Sequence, residues 1–277
     1  MIEAVAMASV PLILAALGGL ISERAGVLNI SLEGCITAGA FSAAWVLTSG
    51  GSPILAALAA LLSGLLFGGL LAGMHLGLGA NLFIAGLGIN LLIPSLAGLI
   101  SQSVWGHKGT IRFSIDEISG FPASGMLIIA MAMIPLSIGA LLMMNRTEFG
   151  RRIKTAGSTP IFLSERGIPP QRTQLTALLI SSVSAALAGM ILVMRIDAFV
   201  PGMSSGRGWI ALVAIWLGFR SPIGIIIASY LFSLIEIISG RAQGIEGVSG
   251  TLILALPYIV AVTALTLATI HRGRRKS

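Results

Sequence analysis

Apolar runs recur along the chain at close to the thickness of a bilayer. They cover about 4–21, 34–48, 53–78, 80–101, 125–145, 174–194, 208–219, 222–239 and 251–270. A hydrocarbon core about 30 Å thick takes roughly 17–25 residues of helix to cross. The runs at 34–48 and 208–219 fall short of that, which predicts broken or partly re-entrant helices. Irregular backbone is tolerated at membrane depth where protein or a water-filled cavity surrounds it. An outer-membrane barrel would instead show short segments of alternating polarity. The expected fold is therefore an all-α polytopic membrane protein with eight or nine transmembrane helices.

One polar stretch interrupts this pattern, Thr147 to Gln174. It holds Arg151, Arg152, Lys154, Arg166 and Arg172, with Arg146 just before it. Basic loops stay on the cytoplasmic side. With 146–173 inside and the runs alternating, Arg24, Arg220, Arg272, Arg274, Arg275 and Lys276 also fall inside. Lys108, Arg112, Arg195, Arg207 and Arg241 fall outside. Nine crossings then put the N-terminus outside and the C-terminus in the cytoplasm.

Composition agrees. The chain is 56% hydrophobic and 10% charged, with mean hydropathy +0.99, against about 25% charge in soluble domains. The 35 glycines suit close helix packing in lipid. The first run lacks a basic flank and carries Glu3, so it reads as a retained span and not a cleaved signal. Cys35 is the single cysteine, which excludes a disulfide within the chain, and it reads as a small buried apolar residue. The +7 net charge sits in loops and the tail, as orientation signals do, and does not point to nucleic acid.

The two halves resemble each other. Leu17-Gly18-Gly19-Leu20-Ile21 matches Leu187-Ala188-Gly189-Met190-Ile191, and Ser52-Pro53-Ile54 returns as Ser221-Pro222-Ile223. The offsets are 170 and 169. Between the matches each half carries a polar break, SERAGVLNISLEG in one and RIDAFVPGMSSGRG in the other. The expected division of the single permease domain is repeat one at about 4–101, a connector span at about 125–145, a loop at about 146–173, and repeat two at about 174–270. One connector span inverts the second copy, and inverted repeats with interrupted helices mark transporters.

Within the basic loop, Thr159-Pro160 has the form of a helix start, with Thr at the cap and Pro in the first turn. Gly167 suits a left-handed C-terminal cap, and Pro169-Pro170 blocks continuation. The expected short helix, Pro160 to Arg166, presents Ile161, Phe162 and Leu163 beside Glu165 and Arg166. An apolar patch rimmed by charge is a docking surface; a loop that only sets topology is the plainer alternative.

These residues carry a family resemblance. FGRRIKTAGSTPIFLSERGI resembles the cytoplasmic coupling segment of permease subunits in bacterial ABC importers of the branched-chain amino acid and ribose permease group. LGGLISERAGVLNISLEG, NLFIAGLGINLL and PGMSSGRGWIALVAIWLGFRSPIG resemble the first-span, fourth-span and second-half signatures of its nucleoside and simple-sugar branch. The four motifs stand in the family's order and span most of the chain. Gly218-Phe219-Arg220-Ser221-Pro222 departs from the commoner Asn-Pro, and Ser31 from the usual Gly, which leaves the exact substrate open.

The resemblance implies a membrane-spanning permease subunit forming half of a translocation pathway for a small polar solute: a nucleoside, a simple sugar or a flavin-like compound. It implies that Phe149, Gly150, Arg151, Arg152, Gly157, Pro160, Phe162, Glu165 and Gly167 couple to an ATP-binding subunit. It also implies a second permease subunit (a heterodimer first, with a homodimer as the alternative), an extracytoplasmic binding protein or lipoprotein, and residence in the bacterial inner membrane. No G-x-x-x-x-G-K-[ST] motif is present, so ATP is expected on the partner and no cofactor on this chain. His75, His107 and His271 are isolated, without zinc spacing, and no nucleophile–base set stands out, so the chain is expected not to be an enzyme.

Polar residues inside spans are costly and face protein or a wet cavity. Asn29, Ser31, Glu33 and Asn90 in the first half, and Ser204, Ser205 and Trp209 in the second, are the candidates for the path. For each a structural reading stands beside the functional one. Glu23, Arg24 and Glu33 can pair or cap helix ends. Residues 203–209 can be a plain turn with an interfacial Trp, and Glu236 can lie at the interface. Loop 102–124, with Trp105, His107, Lys108, Arg112, Asp116 and Glu117, reads as a solvated external segment or a contact for the binding protein. The rival function is a stand-alone secondary transporter, with Glu33 and Glu236 as its only coupling candidates.

Overall fold

A computed structural model describes residues 2–113, 135, 139, 146–242, 258–260, 262, 263 and 266. Helix α1 runs Ile2–Arg24, α2 Leu32–Thr48, α3 Pro53–Ala72 and α4 Leu82–Trp105. Two short helices follow in the basic loop, α5 (Glu148–Ser158) and α6 (Pro160–Glu165). Then come α7 (Pro170–Ile196), α8 (Arg207–Leu217) and α9 (Pro222–Ala242). Helix α3 ends in a π-turn, Gly73–Gly77. The expected spans at 125–145 and 251–270 lie outside the described residues apart from the few positions named.

Among the described residues, five helices are long and apolar enough to cross a membrane: Glu3–Arg24, Pro53–Gly77, Leu82–Trp105, Pro170–Ile196 and Pro222–Ala242. The chain is an all-α polytopic membrane protein. Helices α2 and α8, with 17 and 11 residues, rise only about 25 and 16 Å. Both begin after an irregular segment, so each crosses part of the depth.

Local chemistry fixes the ends of these helices. Pro53 and Pro222 each open a helix after a serine, and Ser52 accepts the N–H of Leu55. Asn81 caps α4 by accepting the N–H groups of Phe83 and Ile84. Helix α1 closes on Gly26 in a left-handed conformation (φ 79°). There Gly26 N–H reaches Glu23 O, and Val27 N–H reaches Ser22 O. This is the two-bond closure that favours glycine at its turning point.

Helix α7 is the hub, packing on α1, α2 and α3. Glycines allow the approach. A Cβ on Gly39 would lie 1.9 Å from the carbonyl oxygen of Ala186, and one on Gly189 would lie 1.9 Å from that of Ile36. Gly18 faces Ser184, and Gly64 faces Val183. Small residues let helices close to backbone contact, which replaces the hydrophobic drive that lipid does not supply. Helix α1 is apolar on every side and almost wholly enclosed, whereas α3, α4 and α9 turn large apolar side chains outward. A helix hydrophobic all round belongs in the interior.

The end of the bundle away from the basic loop is tied by two short strands, β1 (Ile111–Arg112) and β2 (Ala198–Phe199). They pair antiparallel with Ile111 opposite Phe199. Phe41, Trp45, Trp105 and Phe199 meet edge to face there. The loop after α4 reads as a solvated external segment or a contact for the binding protein; 106–110 and Arg112 are exposed, while Ile111 is buried and Trp105 ends α4 against Phe41. Lys108 remains exposed, and Asp116 and Glu117 lie outside the described residues.

Candidate functional site

The break after α1 returns from the basic-loop end to the middle of the bundle, where side chains hold its backbone. Asn29 is fully buried. Its Nδ2 donates to Ser181 Oγ (3.2 Å) and Ser182 Oγ (2.9 Å), and its Oδ1 accepts the N–H and hydroxyl of Ser31 (2.9 and 2.7 Å). Ser181 and Ser182 lie about 17 Å along α7 from its start, which puts Asn29 near mid-depth. Asn90, on α4, spans the next step. Its Nδ2 donates to Ile30 O (2.9 Å) and its Oδ1 accepts the N–H of Gly34 (2.8 Å). Buried amides satisfied in this way fix one arrangement of the chain, since a buried polar group left unpaired costs about 1–3 kcal/mol.

The second break, 200–206, enters from the strand end and also stops at mid-depth. There α2 and α8 begin against each other. Glu33, in the first turn of α2, accepts the N–H of Gly206 (2.8 Å) and of Gly208 (2.7 Å) with its two carboxylate oxygens. A carboxylate on a helix N-terminus satisfies orphan donors and opposes the helix dipole. The fit requires glycine: a Cβ on Gly208 would lie 2.3 Å from the backbone nitrogen of Glu33. One helical turn on, Thr37 Oγ1 donates to Ser204 Oγ (3.2 Å).

Charge gathers at this junction. The Arg207 guanidinium pairs with Glu236 on α9 and donates to Met203 O (2.7 Å). The Tyr258 hydroxyl donates to Ser205 O. Arg195, at the end of α7, lies within electrostatic reach of both Arg207 and Glu236. Among the described residues, the carboxylates of Glu33 and Glu236 thus meet the guanidiniums of Arg195 and Arg207, with Asp197 two residues from Arg195. Glu236 keeps 40% of its side-chain surface accessible, against 15% for Arg207, and Trp209 is partly exposed beside them. The sequence suggested an interfacial role for Glu236 and counted Arg207 as a loop charge. Their pairing was missed because 29 residues and a turn separate them.

The expected coupling residues fall on two helices instead of one. Thr147 caps α5 by accepting the N–H of Gly150 (3.3 Å), and α5 buries Gly150, Ile153 and Ala156 while exposing Arg151, Arg152 and Lys154. Helix α6 starts at Pro160 as expected, but the Thr159 side chain makes no cap bond. Gly167 (φ 73°) closes α6. Leu163 points inward, a correction to the expected three-residue face. The exposed apolar side chains are Phe149, Ile161 and Phe162, at 41%, 73% and 46%. Arg166 stacks over Phe162 with its guanidinium carbon 4.5 Å from the ring centre. Arg152 pairs with Glu148 across one turn (3.3 Å), and Glu165 is exposed.

Gly157 seats these helices on the bundle. A Cβ there would lie 2.2 Å from the carbonyl oxygen of Arg24 and 2.8 Å from the nitrogen of Gly26.

Residues 1–267 match the family described as branched-chain amino acid transport system, permease component. The chain belongs to this family. Among curated relatives, the permease is 29% identical over 282 residues to the nucleoside ABC transporter permease protein NupC of Lactococcus lactis subsp. cremoris, covering 94% of this chain and 89% of that one. It is 29% identical to the guanosine ABC transporter permease protein NupQ of Bacillus subtilis, over 92% of this chain and 88% of the relative. It is 23% identical to a glucose ABC transporter permease protein of Haloferax volcanii, over 96% and 76%. Of solved structures, PsaBC from Streptococcus pneumoniae in complex with Fab matches with TM-score 0.53 at 14% identity, covering 96% of this chain and 89% of that chain. That likeness concerns the fold. The permease is thus a transport subunit and not an enzyme, and it works with ATP-binding and substrate-binding partners in a membrane.

Proposed function

We propose that this permease forms half of the pathway of an ATP-driven importer for an uncharged polar solute, a nucleoside or a simple sugar. The supporting observation for coupling is the exposed Phe149–Ile161–Phe162 face on α5 and α6, seated by Gly157 on the end of α1. An ATP-binding subunit would grip this face from the cytoplasm, with Pro160 and Gly167 setting the ends of α6 and the charges of Arg151, Arg152 and Glu165 at its rim. The N-terminus would lie outside and the C-terminus in the cytoplasm, and a second permease subunit would complete the pathway.

The substrate class follows from the relatives' names and from the mixed charge at the junction. Among the described residues, Glu33 and Glu236 stand against Arg195 and Arg207, with Asp197 two residues from Arg195, so charges of both signs meet at the junction and no single sign selects an ion. In this reading Glu33, Ser204, Ser205 and Trp209 border the path, while Asn29, Ser31 and Asn90 hold the wall behind it. The two breaks entering from opposite ends fit inverted repeats at about 4–101 and 174–270, with the connector and the loop between them. A stand-alone secondary transporter would need a membrane-embedded acidic or basic coupling site and no docking loop; its candidates are both engaged, Glu33 by two N–H groups and Glu236 by Arg207.

The test is uptake of tritiated guanosine and of glucose into proteoliposomes holding the permease with its ATP-binding and binding-protein partners. ATP-dependent uptake of either solute supports the reading. Uptake that needs an ion gradient and no ATPase contradicts it.

A further inference from the structure

The C-terminal turn of α1 joins three parts of the permease. Gly157 of α5 presses on the Arg24 carbonyl and Gly26. Gln174, at the start of α7, donates to Ala25 O (3.4 Å). On the remaining side stands the turn after α8: Arg220 Nε pairs with Glu23 Oε1 at 2.8 Å, Arg24 Nη2 donates to Arg220 O at 3.2 Å, and the Arg220 guanidinium carbon lies 4.2 Å from the centre of the Trp216 ring.

Two features show that this joint is held and not relaxed. Phe219 and Arg220 both adopt left-handed backbone, each with φ 56°. Phe219 takes the place glycine favours, since its N–H reaches Trp216 O while that of Arg220 reaches Ile215 O. Successive non-glycine residues in this region persist only where their surroundings over-determine them, and such strain gathers at switch regions. In addition, Arg24 Nη1 is buried and has no hydrogen-bond partner among the described residues, and an orphaned buried donor of this kind calls for an explanation. A second arrangement of the joint, in which the donor is met and the turn relaxes, supplies one.

We infer that the Glu23–Arg220 pair is a latch and that Arg220 is a positioning residue for transport. It carries displacement of the docking helices, through the end of α1, into α8. Helix α8 is a short rigid rod between two held ends, the Arg220 turn and the Gly206–Gly208 seat on Glu33. Movement of one end must move the other, so the latch links the docking face to the mid-depth junction. The inference rests on the proposed docking role of α5 and α6. It goes further by naming the contact that passes motion between the two halves of the chain.

Two measurements test it. Arg220→Asn removes the ion pair while easing the backbone, because Asn tolerates left-handed conformation. Glu23→Gln removes the same pair from the other side, and Arg220→Lys keeps the cation. In proteoliposomes of the full complex, guanosine or glucose taken up per ATP hydrolysed is expected to fall by about two- to thirtyfold in the first two variants, the span seen for residues along coupling networks. The lysine variant is expected to stay near wild type. In the permease alone, spin labels at Lys154→Cys and Ile223→Cys in a Cys35→Ala background read the distance between α5 and the start of α9. Arg220→Asn is expected to broaden or displace that distribution.

An unchanged uptake-to-ATP ratio in both charge-removing variants, an equal loss in the lysine variant, or an unchanged distance distribution overturns the latch. Failure of the wild-type permease to hold an ATP-binding subunit would sink the docking proposal instead, and the distance measurement would then decide the latch by itself.

Discussion

The Glu33 carboxylate bridges Gly206 and Gly208, taking one backbone N–H on each oxygen at 2.8 and 2.7 Å. It thereby joins the starts of two short helices that begin at mid-depth and run to opposite ends of the bundle. Glutamine has the same shape but one acceptor oxygen, and its amide would face a donor. Charged hydrogen bonds contribute about 1.5–3 kcal/mol each. Glu33→Gln is therefore expected to lose about that much stability in a detergent unfolding titration and to lower maximal uptake at least severalfold. Wild-type stability together with wild-type uptake would show that the bridge has no role.

Asn29 makes a different prediction. Its amide satisfies Ser31, Ser181 and Ser182 in a site with no solvent access. Asn29→Ala takes this partner from the Ser31 N–H and Ser182 Oγ, at about 1–3 kcal/mol for each group left unpaired, while Ser181 Oγ keeps Ser22 Oγ and Ser31 Oγ keeps Cys35 Sγ. The expected result is a lower melting temperature and less folded protein, with KM for the transported solute unchanged in what remains. Normal folding with an altered KM would place Asn29 on the path itself.

The α2–α7 crossing predicts a steric outcome. A Cβ at Gly39 or Gly189 would meet a carbonyl oxygen at 1.9 Å, and backbone cannot step aside as a side-chain tip can. Overpacking in well-packed cores costs about 1–3 kcal/mol, and a collision with backbone belongs at the upper end or beyond. Gly39→Ala and Gly189→Ala should each reduce the monodisperse fraction in size-exclusion chromatography, whereas Gly69→Ala, where nothing lies within 4 Å, should not.

How legible this was in the sequence depended on the kind of signal. Apolar runs placed the long helices among the described residues, and the Ser-Pro pair read as a repeat stands at the starts of α3 and α9. Gly167 marked the end of α6 because its turn, alone within 146–173, takes positive φ. Helix α5 escaped because an 11-residue polar helix makes no apolar run; its signal was Thr147 capping three residues ahead. Thr159 looked like a cap, but its side chain turned elsewhere. The capping role open to Glu33 came without its partner, and the Arg207–Glu236 pair and the Gly39–Gly189 crossing join residues far apart in the chain; spacing along a sequence carries no information about such meetings. Composition could mark Asn29 and Asn90 as unusual in a span, but it could not tell a wet path from a dry, satisfied network.

The docking face predicts a loss of association without a loss of fold. Ile161 and Phe162 are exposed, whereas Leu163 is buried beneath them. Ile161→Asp with Phe162→Asp should leave thermal stability near wild type, since surface changes usually stay within about 0.5 kcal/mol. Co-purification of the ATP-binding subunit should fall at least tenfold. Leu163→Asp should instead damage folding. Equal effects of the two changes on stability would show that the face is structural.

The most direct measurement is photo-crosslinking from position 162 in the assembled transporter. A photoreactive phenylalanine analogue placed at Phe162 is expected to give an adduct with the ATP-binding subunit, and one at Lys108, at the opposite end, is expected to give none. A complex that takes up solute with ATP yet yields no adduct from position 162 would contradict the account.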